Sequence, residues 1–269
     1  MKKRLILILA ALALFLGGCA AQTPIEESQT ETTAAQALCW SDLDFQQEPL
    51  SYAQEFTLAQ AQGYQKLTVG TDQTFLVVPE GSALPEGVPQ DVTVLRQPLQ
   101  NIYMVASASM DYFCKLDALD AIKLSSQKET SWYLPQARQA MEEGRILYAG
   151  KYSTPDYETI LASNCDLAVE NAMIYHTPDV LEQIQHLGIP VLVDRSSYES
   201  HPLGRMEWIK FYGALLNRQQ EARDYYEGLL TSLDPILNEA DTGKSVAFFY
   251  ITASGAVNVR KGTDYITKS

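Results

Sequence analysis

An α/β fold built on a parallel sheet is what this sequence predicts, and three features carry the prediction. Between Ile102 and Asp194, short apolar runs alternate with helix-length stretches; prolines open several of those stretches; glycines close two of them. The strand-like runs are Ile102–Ala106, Ala121–Leu124, Ile146–Ala149, Leu167–Glu170 and Pro190–Asp194. The stretches between them read as helices at Met110–Asp117, Pro135–Glu143, Pro155–Ala162 and Pro178–His186. Pro135, Pro155 and Pro178 occupy first-turn positions, where a missing N–H costs nothing. Gly144 and Gly188 stand where a helix C-terminal glycine belongs.

The flanking segments obey other rules. Tyr64–Val69 alternates, residues 70–73 turn, and Thr74–Val78 returns, so a β-hairpin precedes the alternating region. Pro79–Pro98 holds four prolines and two glycines and reads as loop. After Asp194, Pro202–Leu216 reads as one helix and Arg218–Glu239 as a second, amphipathic one, about 33 Å long at 1.5 Å per residue. Val246–Ile251 and Ala256–Arg260 begin a further sheet, the start of a second α/β lobe that is incomplete at Ser269. The expected organisation is an N-terminal lobe over 38–217, an interlobe helix over 218–240 and the beginning of a truncated lobe over 241–269.

The amino terminus predicts a compartment. Lys2, Lys3 and Arg4 precede an unbroken apolar run, Leu5–Leu16, too short to span a bilayer but suited to a secretory signal. Leu16-Gly17-Gly18-Cys19 resembles the lipobox of bacterial lipoproteins, which implies a signal peptide over 1–18, cleavage before Cys19 and lipid on its sulfur. Residues 19–37 are rich in Thr, Gln, Glu and Ala and read as a flexible tether. The expected location is the extracytoplasmic face of the cell membrane, held by lipid.

Composition narrows the function. With 46% hydrophobic and 20% charged residues the chain is not disordered throughout. Its net charge is −13, and loss of residues 1–18, with three basic and no acidic groups, takes it to −16. That balance argues against a nucleic-acid partner, which wants a basic face. Besides Cys19, Cys39, Cys114 and Cys165 remain, an odd number without metal-ligand spacing, so no disulfide framework is implied.

Open α/β sheets bind ligands beyond the carboxyl ends of their strands. That rule singles out the loops Ser107–Ser109, Ser125–Tyr133, Gly150–Ser153, Asn171–His176 and Arg195–His201. Together they carry Ser107, Ser109, Trp132, Lys151, Tyr152, Asn171, Tyr175, His176, Arg195, Tyr198 and His201. Aromatic faces supply contact area and Arg or Lys pairs with carboxylates, so a large, flat, partly anionic ligand is the expected guest. No GxGxxG, HExxH, GxSxG or CxxC motif is present, and no catalytic residue is assigned. His176 and His201 are the candidate metal ligands.

From Met104 the chain resembles the substrate-binding proteins of bacterial iron–siderophore, haem and cobalamin uptake, the class III periplasmic binding proteins with a helical backbone. The resemblance rests on the order and spacing of residues 105–109, of Leu116–Ile122, of Asp156–Leu161 followed by Cys165–Val169, of Gly188–Val191, and of the helix bearing Gln220, Glu221 and Ala222. It implies a Rossmann-like first lobe, a long interlobe helix and a second lobe in a chelatase-like fold. It further implies a receptor, not an enzyme, that delivers a ferric siderophore, haem or cobalamin to an ABC permease and its ATPase, with no cofactor of its own. On this resemblance Lys151, Arg195 and Arg260 balance ligand carboxylates, the rim aromatics pack on its face, and Glu158 matches the first-lobe glutamate that docks on the permease. The elaborate Arg195–Arg205 segment is expected to be ligand-specific, or else a capped helix entry with Ser200 or His201 before Pro202. Two alternatives stay open: a receptor for a bare transition-metal ion held by His176, His201 and a carboxylate such as Glu199, and an enzyme on the same fold.

Overall fold

A computed structural model describes residues 38–240 and 243–262. The expected signal peptide, Cys19 and tether lie outside the described residues, as does the end of the expected second lobe. Among the described residues no helix is long and apolar enough to cross a membrane.

The first element is a five-stranded sheet: β1 (Gln46–Glu48), β2 (Phe56–Ala61), β3 (Tyr64–Val69), β4 (Gln73–Val78) and β5 (Val92–Arg96), in that order. The expected hairpin is its β3–β4 pair. Two expectations need correcting. The segment from Pro79 to Pro98 is not all loop, because β5 pairs in parallel with β4 there. The hairpin also does not stand alone: β2 flanks β3, with Phe56, Leu58 and Ala61 buried and Thr57 and Gln60 exposed.

Then come β6 (Ile102–Met104), α1 (Met110–Lys115), β7 (Ile122–Ser125), α2 (Pro135–Glu142), β8 (Leu147–Tyr148) and a small antiparallel pair, β9 (Gly150–Lys151) with β10 (Thr154–Pro155). The chain continues through α3 (Tyr157–Ala162), β11 (Leu167–Asn171), α4 (Pro178–His186) and β12 (Val191–Asp194). The second sheet runs β12-β11-β6-β7-β8 with every pair parallel, as the alternation predicts. Pro135 and Pro178 do open their helices, but Pro155 closes β10 and Asp156 caps α3, accepting from the Thr159 N–H at 3.1 Å.

The parallel sheet is covered on both faces, which its nearly unbroken apolar strands require. Ile102, Met104, Ile122, Leu167 and Val169 share one core with α1, α2 and the later helix α5 (Pro202–Leu215). Tyr103, Leu124 and Ala168 face Ile160 of α3 and Ile184 of α4 on the other side. Helix α5 is buried almost all round because the first core also takes in Phe56, Leu67, Phe75 and Leu95 of the five-stranded sheet. A helix packed on two sides has no solvent stripe. Its successor α6 (Gln219–Leu237), about 28 Å long, packs back on α5. At their crossing a Cβ on Gly213 would stand 2.5 Å from that of Ala222, so glycine is what allows the approach. Tyr226 ties α6 to the lobe, its hydroxyl donating to the Leu203 carbonyl at 3.2 Å. A hairpin, β13 (Phe249–Ile251) with β14 (Val257–Val259), comes last.

Two buried glutamates join the sheets. Glu207 accepts from the N–H groups of Ser51, Tyr52 and Ala53 at 2.8–3.0 Å and from Lys210 Nζ at 2.8 Å. Glu199 accepts from the N–H groups of Gln54 and Glu55 and from Trp208 Nε1 at 2.9 Å. Burial opposes the charge on Glu207, but Lys210 and the three N–H donors outweigh it and hold its carboxyl below the ordinary value. Gly204 lies under this clasp, where a Cβ would approach the Tyr52 carbonyl oxygen to 2.8 Å. The later part of the Arg195–Arg205 segment, expected to be ligand-specific, has a structural role: Glu199 holds the β1–β2 connection, and His201 Nδ1 caps α5 by accepting from the Leu203 N–H at 3.1 Å.

Glu207→Ala removes the buried acceptor of three part-buried N–H groups and lowers stability by about 1–3 kcal/mol, and Gly204→Ala costs about 1–3 kcal/mol by overpacking. Urea unfolding midpoints measure both, and midpoints equal to that of the wild-type chain would remove the clasp from the account.

Candidate ligand-binding site

Because every strand of the second sheet runs the same way, the loops after β6, β7, β8, β11 and β12 open at one edge. Three of them converge on a cavity of about 370 Å³. Its walls are Ala106, Ser107 and Ala108 after β6, the Asn171–Met173 turn and His176 after β11, and Ser196, Ser197 and Tyr198 after β12. Asp194, the last residue of β12, forms part of the floor. Asn171 shapes the middle loop, its Oδ1 accepting from the Met173 N–H at 2.9 Å. Met173 and Tyr198 are about half exposed there.

The floor is a closed network. Asp194 is nearly buried, and its carboxylate accepts from Ser109 Oγ at 2.9 Å, Ser196 N–H at 2.9 Å, Ser196 Oγ at 2.6 Å and Tyr212 hydroxyl at 2.6 Å. Burial, and then the Asp194 charge, drive the Tyr212 phenol far above its ordinary value, so it stays a donor.

Of the residues expected at the rim, Ser107, Asn171, His176 and Tyr198 line this cavity. Tyr175 turns to a neighbouring groove beside Asp72 and Thr93. Lys151 is exposed on β9 and Tyr152 is half-buried against the Tyr103 core, both on the same edge but off the cavity wall. Several expectations are corrected. Ser109 is fully buried beneath the floor, and Trp132 is only 4% exposed, packed in the core with Nε1 donating to Ser125 Oγ. Arg195 does not offer its charge to the cavity: Nε contacts Glu55 Oε2 at 2.6 Å and the guanidinium lies 4.9 Å from the Tyr198 ring centre. His201 caps α5 and stacks on Tyr52 at 4.7 Å, and Glu199 is bound to backbone, so the set His176, His201 and Glu199 is not assembled around an ion. Among the described residues no group of three or more His, Cys, Asp or Glu is placed to hold a metal. Arg260 comes just after β14, its backbone N–H donating to the Phe248 carbonyl. Cys39, Cys114 and Cys165 form no disulfide.

Asp194, Met173 and the alanines of the β6 loop are not among the aromatic, cationic and small polar side chains that the sequence singles out in these loops. The position of Asp194 at a strand's carboxyl end is the signal that marks it.

Residues 105–266 match the family described as periplasmic binding protein. The chain belongs to that family. Its parallel sheet, flanking helices and long α6 are the class III, helical-backbone arrangement of these binding proteins. An uncharacterized lipoprotein of Methanocaldococcus jannaschii is 23% identical over 216 residues, 76% of this chain and 52% of that protein. The chain thus spans about half the length of this relative. Among solved structures, a possible iron-binding (periplasmic solute-binding) protein from Staphylococcus epidermidis is 13% identical with TM-score 0.48, covering 62% of each chain. The periplasmic heme binding protein HutB of Vibrio cholerae is 18% identical with TM-score 0.47, over 59% of this chain and 57% of its own. The periplasmic vitamin B12 binding protein BtuF of Vibrio cholerae is 18% identical with TM-score 0.44, over 64% of this chain and 62% of its own.

One residue behind the cavity is at odds with its surroundings. Glu170, next to Asn171 in β11, is fully buried and neither carboxylate oxygen has a hydrogen-bond partner among the described residues. Burial pushes its carboxyl up to about 8. The unfolded chain releases this proton in the ordinary carboxylate range, so stability falls as pH rises from there to about 8 and is flat above it. Between pH 6 and pH 9 the loss is on the order of 2 kcal/mol. Glu170→Gln should flatten that stretch of the urea-measured stability profile; an unchanged slope would show that Glu170 is not its source.

Proposed function

We propose that this periplasmic binding protein is a lipid-anchored receptor of an ABC importer, taking a metal complex into the cavity at the carboxyl edge and passing it to a permease. The convergence of the β6, β11 and β12 loops into one open cavity carries the reading. A sheet edge of this kind presents small residues, backbone groups and half-exposed apolar side chains toward a guest. On the sequence resemblance the cargo is a ferric siderophore, haem or cobalamin. Cys19 is the lipidation site, and the protein brings no cofactor of its own. Helix α6 is the connector that leads out of the lobe, its first turns bound to α5 through Ala222 and Tyr226.

Met173 and Tyr198 supply the apolar contact at the cavity and Ser107 and Asn171 the polar one. Tyr198→Ala and Met173→Ala each weaken ligand binding by about tenfold. Calorimetric titration with the cargo checks this, and unchanged affinity in both variants would move the site elsewhere.

Glu158 lies exposed in the first turn of α3, where it can meet cationic side chains of a permease. Glu158→Lys leaves the affinity for cargo unchanged but lowers uptake in cells severalfold, because it places like charges at the contact. Uptake equal to that of the wild type would exclude Glu158 from docking.

A further inference from the structure

We infer that the cavity selects a metal complex carrying no net negative charge, with Asp194 and the Arg195–Glu55 pair as the residues that set this preference. The inference rests on the receptor reading and narrows its cargo. Among the described residues, the acidic and basic side chains lining the cavity are Asp194 and His176. All four groups that donate to Asp194 are uncharged, two serine hydroxyls, a backbone N–H and a phenol, so they orient its charge without cancelling it. A carboxylate held in this way, 4% exposed, is poorly screened by solvent and salt. An anionic guest seated above it is repelled, and an uncharged or cationic guest is not.

The cation nearest in sequence is withdrawn. Arg195 comes directly after Asp194, yet it is pinned at 2.6 Å to Glu55, from the segment that leads into β2, and is spread over the Tyr198 ring. Its charge is therefore engaged by a carboxylate of the protein itself, and Tyr198 shows the cavity an aromatic surface. The remaining wall is small or apolar, Ala106, Ala108 and Met173, with Ser107, Ser197 and Asn171 to bond amides or hydroxyls. Such a surface suits a broad, electrically neutral face edged with amide groups. The net charge of the chain, −13, adds a long-range term of the same sign.

The test is a titration of the full chain with four probes: cyanocobalamin, which is uncharged; ferrioxamine B, a cationic trihydroxamate; haem, with two propionates; and ferric enterobactin, a tris-catecholate trianion. At least one of the first two binds with a dissociation constant tenfold or more below those of the two anions. Asp194→Asn raises affinity for the anions. Because that change disturbs a four-donor network and can impair folding, Ser197→Lys on the exposed wall is the second variant, and it strengthens binding of the trianion at least threefold. Tighter binding of haem or the tris-catecholate by the wild-type chain, or no response to Ser197→Lys, overturns the charge preference and leaves the receptor reading standing. Failure of all four probes to bind overturns both.

Discussion

The structure depends on two carboxylates buried between sheets. Glu199 and Glu207 together accept all five backbone N–H groups of residues 51–55, a stretch that has no strand partner to satisfy it. Leaving an N–H unpaired where water reaches it poorly costs up to about 1–3 kcal/mol, so these two side chains are what hold this partly buried segment against α5. With them, the five-stranded sheet is fastened to a helix that also covers the parallel sheet, and one core serves both. Glycine at 204 answers the same constraint, since the backbone of Tyr52 passes where a side chain would be.

The clasp also shapes the cavity. Glu199 belongs to the chain segment that leaves β12, so the loop bearing Ser196, Ser197 and Tyr198 is anchored at both ends, by Asp194 on one side and by the 54–55 backbone on the other. Glu55, the last residue of the held stretch, is thereby brought to Arg195. The electrostatic character of the cavity is in this way inherited from a packing arrangement formed some distance from it. Glu170 is different in kind. It is a buried carboxyl with no compensating donor among the described residues, and its neighbours respond to it: burial and then the Glu170 charge raise Tyr103 and Tyr157.

Much of the fold was legible because periodicity and capping are local. The five parallel strands and their helices came within a few residues of the observed ones, since proline, glycine and apolar runs report backbone preference directly. Strand β5 was missed because Val92–Arg96 lies among prolines and glycines, and only its neighbour β4 makes it a strand. Strand β2 was missed because alternation in so short a run counts for little without a partner. Trp132 and Ser109 show the same gap at the candidate site: their loops do follow β7 and β6 at the carboxyl edge, but side-chain direction depends on packing, and both turn inward.

From the amino acids alone came the α/β class, the parallel order of events along the chain, and the edge at which the strand-end loops gather, because all three derive from short-range preferences and from the geometry of parallel strands. Contacts between residues some 140–160 positions apart decided the rest: which carboxylates hold backbone, which arginine is neutralised, and which loops form the cavity wall. Such pairings leave no trace in local pattern, since any glutamate reads the same until the chain brings a donor to it.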